Sequence, residues 1–164
     1  MKTAVVFFTR DGSTRVAAQV LAEKLSADIF ELEEVKKRGG SPFSFMAAGF
    51  GAFTGARSRL KNDFAAQMGA YERICIGTPI WAGQAVPAVN TFVHRLGAKD
   101  KKVIVFAVQG DPDTNKNSAQ KLFAALEKKG ALVETMLCLY GADVGKTAQK
   151  EDIEKQISSS FAAK

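Results

Sequence analysis

The hexapeptide TRDGST, Thr9 to Thr14, joins an apolar run to a periodic one and gathers three hydroxyls, a glycine and the charges of Arg10 and Asp11. Gly12 permits close backbone approach. The hydroxyls of Thr9, Ser13 and Thr14, with successive backbone N–H groups at the start of a helix, suit an anion. A terminal monophosphate fits such a cup. A nucleoside triphosphate fits poorly, because this loop lacks the longer glycine stretch ending in Lys and Ser or Thr, and a dinucleotide would call for G-x-G-x-x-G here. The competing reading is a plain capped turn between strand and helix, which Asp11, Gly12, Ser13 and Thr14 all suit. A carboxylate facing a dianion is repelled, so Asp11 is expected to point away or to be neutralised by Arg10 or Arg15.

Two further turns could complete a site. GTPIWAGQAVP places the single tryptophan, Trp81, at the end of an apolar run. An indole there can stack on a flat heterocycle and exclude water from one face, or pack on a neighbouring loop. QGDPDTN, residues 109 to 115, offers turn-forming residues with amide and carboxylate groups for the polar edge of a ring. A phosphate cup beside an aromatic platform describes flavin mononucleotide (FMN).

Strands and helices must bring these turns together. TAVVFFT (3–9) is a β-branched and aromatic run expected for a strand covered on both faces. Val16, Ala17, Val20, Leu21 and Leu25 then recur at helical spacing, with Ser13 or Thr14 available as cap. The unit repeats with strands at 28–34, 71–78, 101–108 and 132–140. Helices follow that carry Val86, Val89, Phe92, Val93 and Leu96; Ala119, Leu122, Phe123 and Leu126; and Ile153, Ile157 and Phe161. Alternation of this kind predicts a parallel sheet with right-handed crossovers, whose ligands bind at the carboxyl ends of the strands. The exception is 35–60, a Gly- and Phe-rich basic insertion. There Phe43, Met46, Phe50 and Phe53 keep a helical period while Gly49, Gly51 and Gly55 weaken it. We expect a short amphipathic helix, packed locally or serving as a lid or a homodimer contact over residues 43–53.

The 164 residues, 46% hydrophobic and 24% charged, suit one domain spanning 1–164. Met1 is followed by one lysine and a short apolar stretch that Arg10 and Asp11 interrupt, so neither a signal peptide nor a membrane span is expected. Cys75 and Cys138 lie in apolar runs without metal-ligand spacing, which fits buried thiols in a reducing cytoplasm and no metal site. His94 lies beside a helical apolar stripe without neighbours for a triad and reads as a surface or packing residue. Of the net +6, the 35–70 stretch supplies most, with six basic residues and one acidic. An anionic partner is favoured by that patch, but no motif of a nucleic-acid reader accompanies it.

Over essentially its whole length the chain resembles the flavodoxin family. That family's phosphate loop resembles [S/T]-x-T-G-x-T, matched by Thr9, Gly12 and Thr14, with Asp11 in place of the usual threonine. GTPIWAG resembles its flavin-contacting loop. The opening MKTAVVFFTRDGSTR also resembles the quinone-dependent protoporphyrinogen oxidases, whose phosphate loop carries the same TRDG. The long insertion those enzymes carry around the fifth strand is lacking here, as is the second aromatic that flavodoxins often place after strand four. The resemblance implies a doubly wound five-stranded α/β sheet in the order 2-1-3-4-5 and a non-covalently bound FMN that carries the electrons. It places Thr9, Arg10, Asp11, Gly12, Ser13 and Thr14 at the phosphate. Thr78, Pro79, Ile80, Trp81, Ala82 and Gly83 lie at the ring and ribityl chain, with Gln109, Gly110 and Asp111 at the ring edge. No side chain is required as catalytic acid or base. Electrons would pass to a redox partner protein or, in an FMN-dependent NAD(P)H or quinone oxidoreductase, to a small anionic or quinone substrate. The alternative from another class is a flavin-free interaction module on the same fold.

Overall fold

A computed structural model describes residues 1–35, 56–110, 119–141 and 147–162. Most of the 35–60 insertion, with Phe43, Met46, Phe50 and Phe53, and most of the third turn, including Asp111, lie outside the described residues. Five parallel strands form the sheet: β1 (Thr3–Phe7), β2 (Asp28–Glu31), β3 (Arg73–Trp81), β5 (Lys102–Val108) and β6 (Leu132–Leu139). Their order is β2-β1-β3-β5-β6, which is the expected order once a short antiparallel β4 (Gln84–Ala85), paired with the end of β3, is counted.

Residue alternation along each strand decides which helix it meets. Ala4, Val6, Ile74, Ile76, Val103 and Val105 face one side, covered by α2 (Pro87–Arg95) and α3 (Gln120–Lys128) through Val89, Phe92, Leu122 and Leu126. Val5, Phe7, Cys75, Ile104, Phe106, Leu137 and Leu139 face the other side. There α1 (Ser13–Leu25) and α4 (Lys150–Ala162) cover them with Ala17, Ala18, Leu21, Ile153 and Ile157. A parallel sheet covered on both faces favours apolar side chains on both sides of its inner strands, and that is why β1 and β5 read as continuous hydrophobic runs, whereas the edge strand β2 is only partly buried and carries Asp28 and Glu31.

One glycine is required by packing. A Cβ on Gly77 would lie 2.2 Å from Cζ of Phe106 and 2.8 Å from Cβ of Phe7, so the Phe106 ring occupies the space that any larger residue would need. The described residues flanking the insertion are tied to each other and to α2. Val35 N–H donates to the Arg59 carbonyl (2.8 Å) and Lys61 N–H to that of Glu33 (2.8 Å), while Thr91 and Asn90 of α2 bind the backbone of Ser58 and Ala56. The cluster of positive charge at 35–70 is partly neutralised, since Lys61 meets Glu33 at 3.2 Å; Arg57 and Arg59 stay exposed. His94 is exposed in the last turn of α2, as expected of a surface residue.

Candidate functional site

Strands β1, β3 and β5 are neighbours, and their register sets Phe7 beside Gly77 and Gly77 beside Phe106. The turns leaving their carboxyl ends therefore share one edge of the sheet, at the switch in winding direction where ligands of such sheets bind.

The first turn runs from Phe8 to the start of α1. Gly12 is the N-cap residue, with φ of 91° and ψ of −20°, a left-handed conformation that glycine adopts at little cost. The sequence points to Ser13 or Thr14 as cap, but neither caps the helix. The Ser13 hydroxyl instead accepts a buried hydrogen bond from Ala148 N–H at 2.9 Å. The first intrahelical bond is Val16 N–H to the Gly12 carbonyl (3.1 Å), so the N–H groups of Thr14 and Arg15 precede the intrahelical ladder. With the helix dipole behind them, these groups make an electropositive cup. Thr9 Oγ1 accepts from Gly12 N–H at 3.1 Å and so curls the turn over the helix end.

The charges sort themselves around the cup. Asp11 is exposed. Arg15 does not neutralise it: the Arg15 guanidinium forms a two-pronged pair with Glu31 of β2, 2.6 and 2.8 Å, and that carboxylate holds the guanidinium pKa above its ordinary value. Arg10 lies over the Trp81 ring, 5.8 Å from its centroid.

The second turn differs from the sequence expectation. The strand expected to end at Thr78 continues to Trp81, and Ala82 and Gly83, with φ of 48° and 74°, turn it back into β4 as a two-residue hairpin pairing Trp81 with Gln84. Thr78 is fully buried and its hydroxyl faces inward, accepting from Val86 N–H (3.2 Å) and donating to the Pro79 carbonyl (2.8 Å). The side chain of Thr78 thus ties the hairpin to the start of α2. Trp81 is half-buried, its ring edge-on to Phe8 at 6.1 Å and 88°. Pro79, Ile80 and Gly83 are also half-buried, and Ala82 is exposed at the tip. In the third turn, Gln109 is buried with its N–H on the Leu139 carbonyl (2.9 Å), and Gly110 is exposed.

Residues 147 and 148, which the sequence reading did not single out, also touch the cup. Thr147 Oγ1 donates to the Asp11 carbonyl at 2.8 Å, and a Cβ on Gly12 would meet that same hydroxyl oxygen at 3.2 Å. They are separated from the first turn by 136 and 135 positions, so nothing local in sequence could signal the contact.

No family model matches the chain, and no curated protein matches it. Solved structures do. A candidate flavoprotein from Bacteroides uniformis is similar with a TM-score of 0.77 and 25% identity, covering 96% of this chain and 97% of that one. A flavoprotein from Lactobacillus acidophilus in complex with FMN is similar with a TM-score of 0.66 at 17% identity, over 84% of this chain and 92% of that one. Oxidised Flavodoxin 2 from Bacillus cereus superposes with a TM-score of 0.65 at 18% identity, over 99% and 97% of the two chains. Topology and these likenesses agree, and the chain has the flavodoxin-family fold.

Proposed function

We propose that this chain binds FMN without a covalent link and acts as a redox protein through it. The observation that supports this most is the cup at the start of α1. The N–H groups of the first helical turn, the Thr9 hydroxyl and a left-handed Gly12 lie at one strand end, and Trp81 stands at the end of the adjacent strand. The donor set suits a phosphate: it is built from amides and hydroxyls, and the Asp11 carboxylate is exposed.

In this reading the turn from Thr9 to Thr14 holds the phosphate. Thr78 to Gly83 are assigned to the ring and ribityl chain, and Gln109, Gly110 and Asp111 to the ring edge. FMN supplies the electron transfer when bound; the protein anchors it, shields one face and sets the polarity around it. The free thiols, Cys75 buried and Cys138 half-buried, fit a reducing cytoplasm. No described helix is long and apolar enough to cross a membrane.

The exposed Arg57 and Arg59 and the net charge of +6 favour an anionic partner, either an acidic redox protein or a small anionic or quinone substrate. Reduction of the flavin by NADH or NADPH alone, followed by reoxidation with a quinone, marks an oxidoreductase; a requirement for a reductase protein marks a carrier.

The first test is the absorption spectrum of purified protein mixed with FMN, with the fluorescence of Trp81 followed during titration. A yellow protein with quenched tryptophan is the expected result. A colourless protein with unchanged fluorescence after exposure to excess FMN overturns the reading in favour of a flavin-free module.

A further inference from the structure

We infer that Thr147, at the approach to α4, is a positioning residue that fixes the peptide unit between Asp11 and Gly12 and thereby preforms the phosphate site. The inference rests on the FMN reading for its functional consequence, but the contact itself is independent of any ligand.

A trans peptide carries its C=O and N–H on opposite sides of one plane, so holding both ends fixes the plane. At this unit both ends are held. The Asp11 carbonyl accepts from the Thr147 hydroxyl at 2.8 Å, and the Gly12 N–H donates to Thr9 Oγ1 at 3.1 Å. Reversal of the plane would exchange the directions of the two groups and swing a carbonyl oxygen toward Thr9 and the cup, where its partial negative charge would oppose a phosphate. Gly12, in its left-handed conformation, has no side chain to resist such a rotation. The restraint must come from elsewhere, and Thr147 supplies it.

Two neighbouring contacts show that the latch is seated. Ala148 N–H donates to Ser13 Oγ at 2.9 Å in a buried setting, so consecutive residues of the α4 approach grip consecutive parts of the first turn. The space at the Gly12 α-carbon is filled by Thr147, which a Cβ would meet at 3.2 Å from the hydroxyl oxygen and 3.5 Å from the methyl. The side chain is therefore in contact with the turn by shape as well as by its hydrogen bond.

The experiment compares wild type, Thr147→Val and Thr147→Ser. Valine keeps the shape and removes the donor; serine keeps the donor. Two readouts are taken from each: amide hydrogen exchange at Gly12 in the flavin-free protein, and affinities for FMN and for riboflavin, which lacks the phosphate. T147V is expected to exchange Gly12 N–H about tenfold faster, and T147S to stay close to wild type. FMN affinity is expected to fall about tenfold in T147V and to recover in T147S, with riboflavin affinity unchanged throughout. Unaltered Gly12 exchange in T147V overturns the inference, whether or not flavin binds. So does an equal loss of FMN and riboflavin, which would mark a general structural role. Failure of wild type to bind FMN while T147V still accelerates Gly12 exchange would sink the FMN reading and leave the latch standing.

Discussion

The turns after β1 and β3 lie side by side at the same sheet edge, yet they are held in opposite ways. The first is tied by Thr9 and is secured by Thr147 and Ala148, which arrive from the far end of the chain. The second closes largely on its own neighbours, with Phe8 and Arg10 of the first turn against Trp81: Thr78 bonds Pro79 and Val86, the hairpin pairs Trp81 with Gln84, and Gly77 beneath it is locked under Phe106. Long-range tethering lets a backbone cup be shaped by a distant element, whereas local closure makes a stiff platform. A phosphate cradle needs peptide orientations that glycine alone does not hold, and a stacking surface needs only a fixed ring.

That contrast is broken most severely at Gly77. Gly77→Ala is expected to destabilise the fold by about 3 kcal/mol or more in urea titration, because the added methyl collides with the Phe106 ring and with Phe7. The double variant with Phe106→Ala is expected to cost clearly less than the two single changes together, since each change makes room for the other. Additive costs would show that Gly77 does not owe its place to that ring.

Next in size is a pH effect in the same strand. Burial pushes the Cys75 thiol up to about 12, well above its ordinary range. The folded state therefore keeps the proton where the unfolded chain loses it, so this contribution is complete below the ordinary thiol pKa and is lost as pH rises toward 12. Between pH 9 and 10.5 wild type should lose about 1–2 kcal/mol more stability than Cys75→Ala, as measured by paired denaturant titrations. Parallel pH profiles would refute this.

The tether of the first turn is the next target. Ser13→Ala leaves the buried Ala148 N–H without its acceptor and should cost about 1–2 kcal/mol, with faster exchange at Ala148. A smaller effect of opposite sign is expected at the hairpin tip. Ala82 holds a φ of 48°, which is unfavourable for a residue with a Cβ, and Ala82→Asn should raise stability by about 0.5–1 kcal/mol in thermal denaturation. A loss there would mean that the hairpin needs alanine for some other contact.

The same contrast separates what was legible in the sequence from what was not. The strands read correctly because two-sided burial writes itself as unbroken apolar runs such as TAVVF and KVIVFAV, and helical periodicity located α1, α2, α3 and α4. Right-handed crossovers and the family resemblance then gave the strand order. The turn that carries TRDGST was recognisable from its glycine and hydroxyls, but not the roles of those hydroxyls. Ser13 serves Ala148 and Thr78 serves the hairpin, and each partner is fixed by packing that no local spacing reveals. The hairpin itself was missed because Ala82-Gly83 lacks the Asn-Gly or Asp-Gly that usually announces such a turn. The short β4 followed from the same omission.

The antiparallel contact of 33–35 with 59–61 has a consequence for how this chain could be altered. Both feet of the intervening stretch are clamped together by the Glu34–Leu60 bridge and its flanking hydrogen bonds. Lengthening or trimming what lies between changes the closure entropy slowly, about 0.6 kcal/mol per doubling. This bridge is thus a natural grafting point, where foreign segments could be exchanged while the strand framework keeps its register.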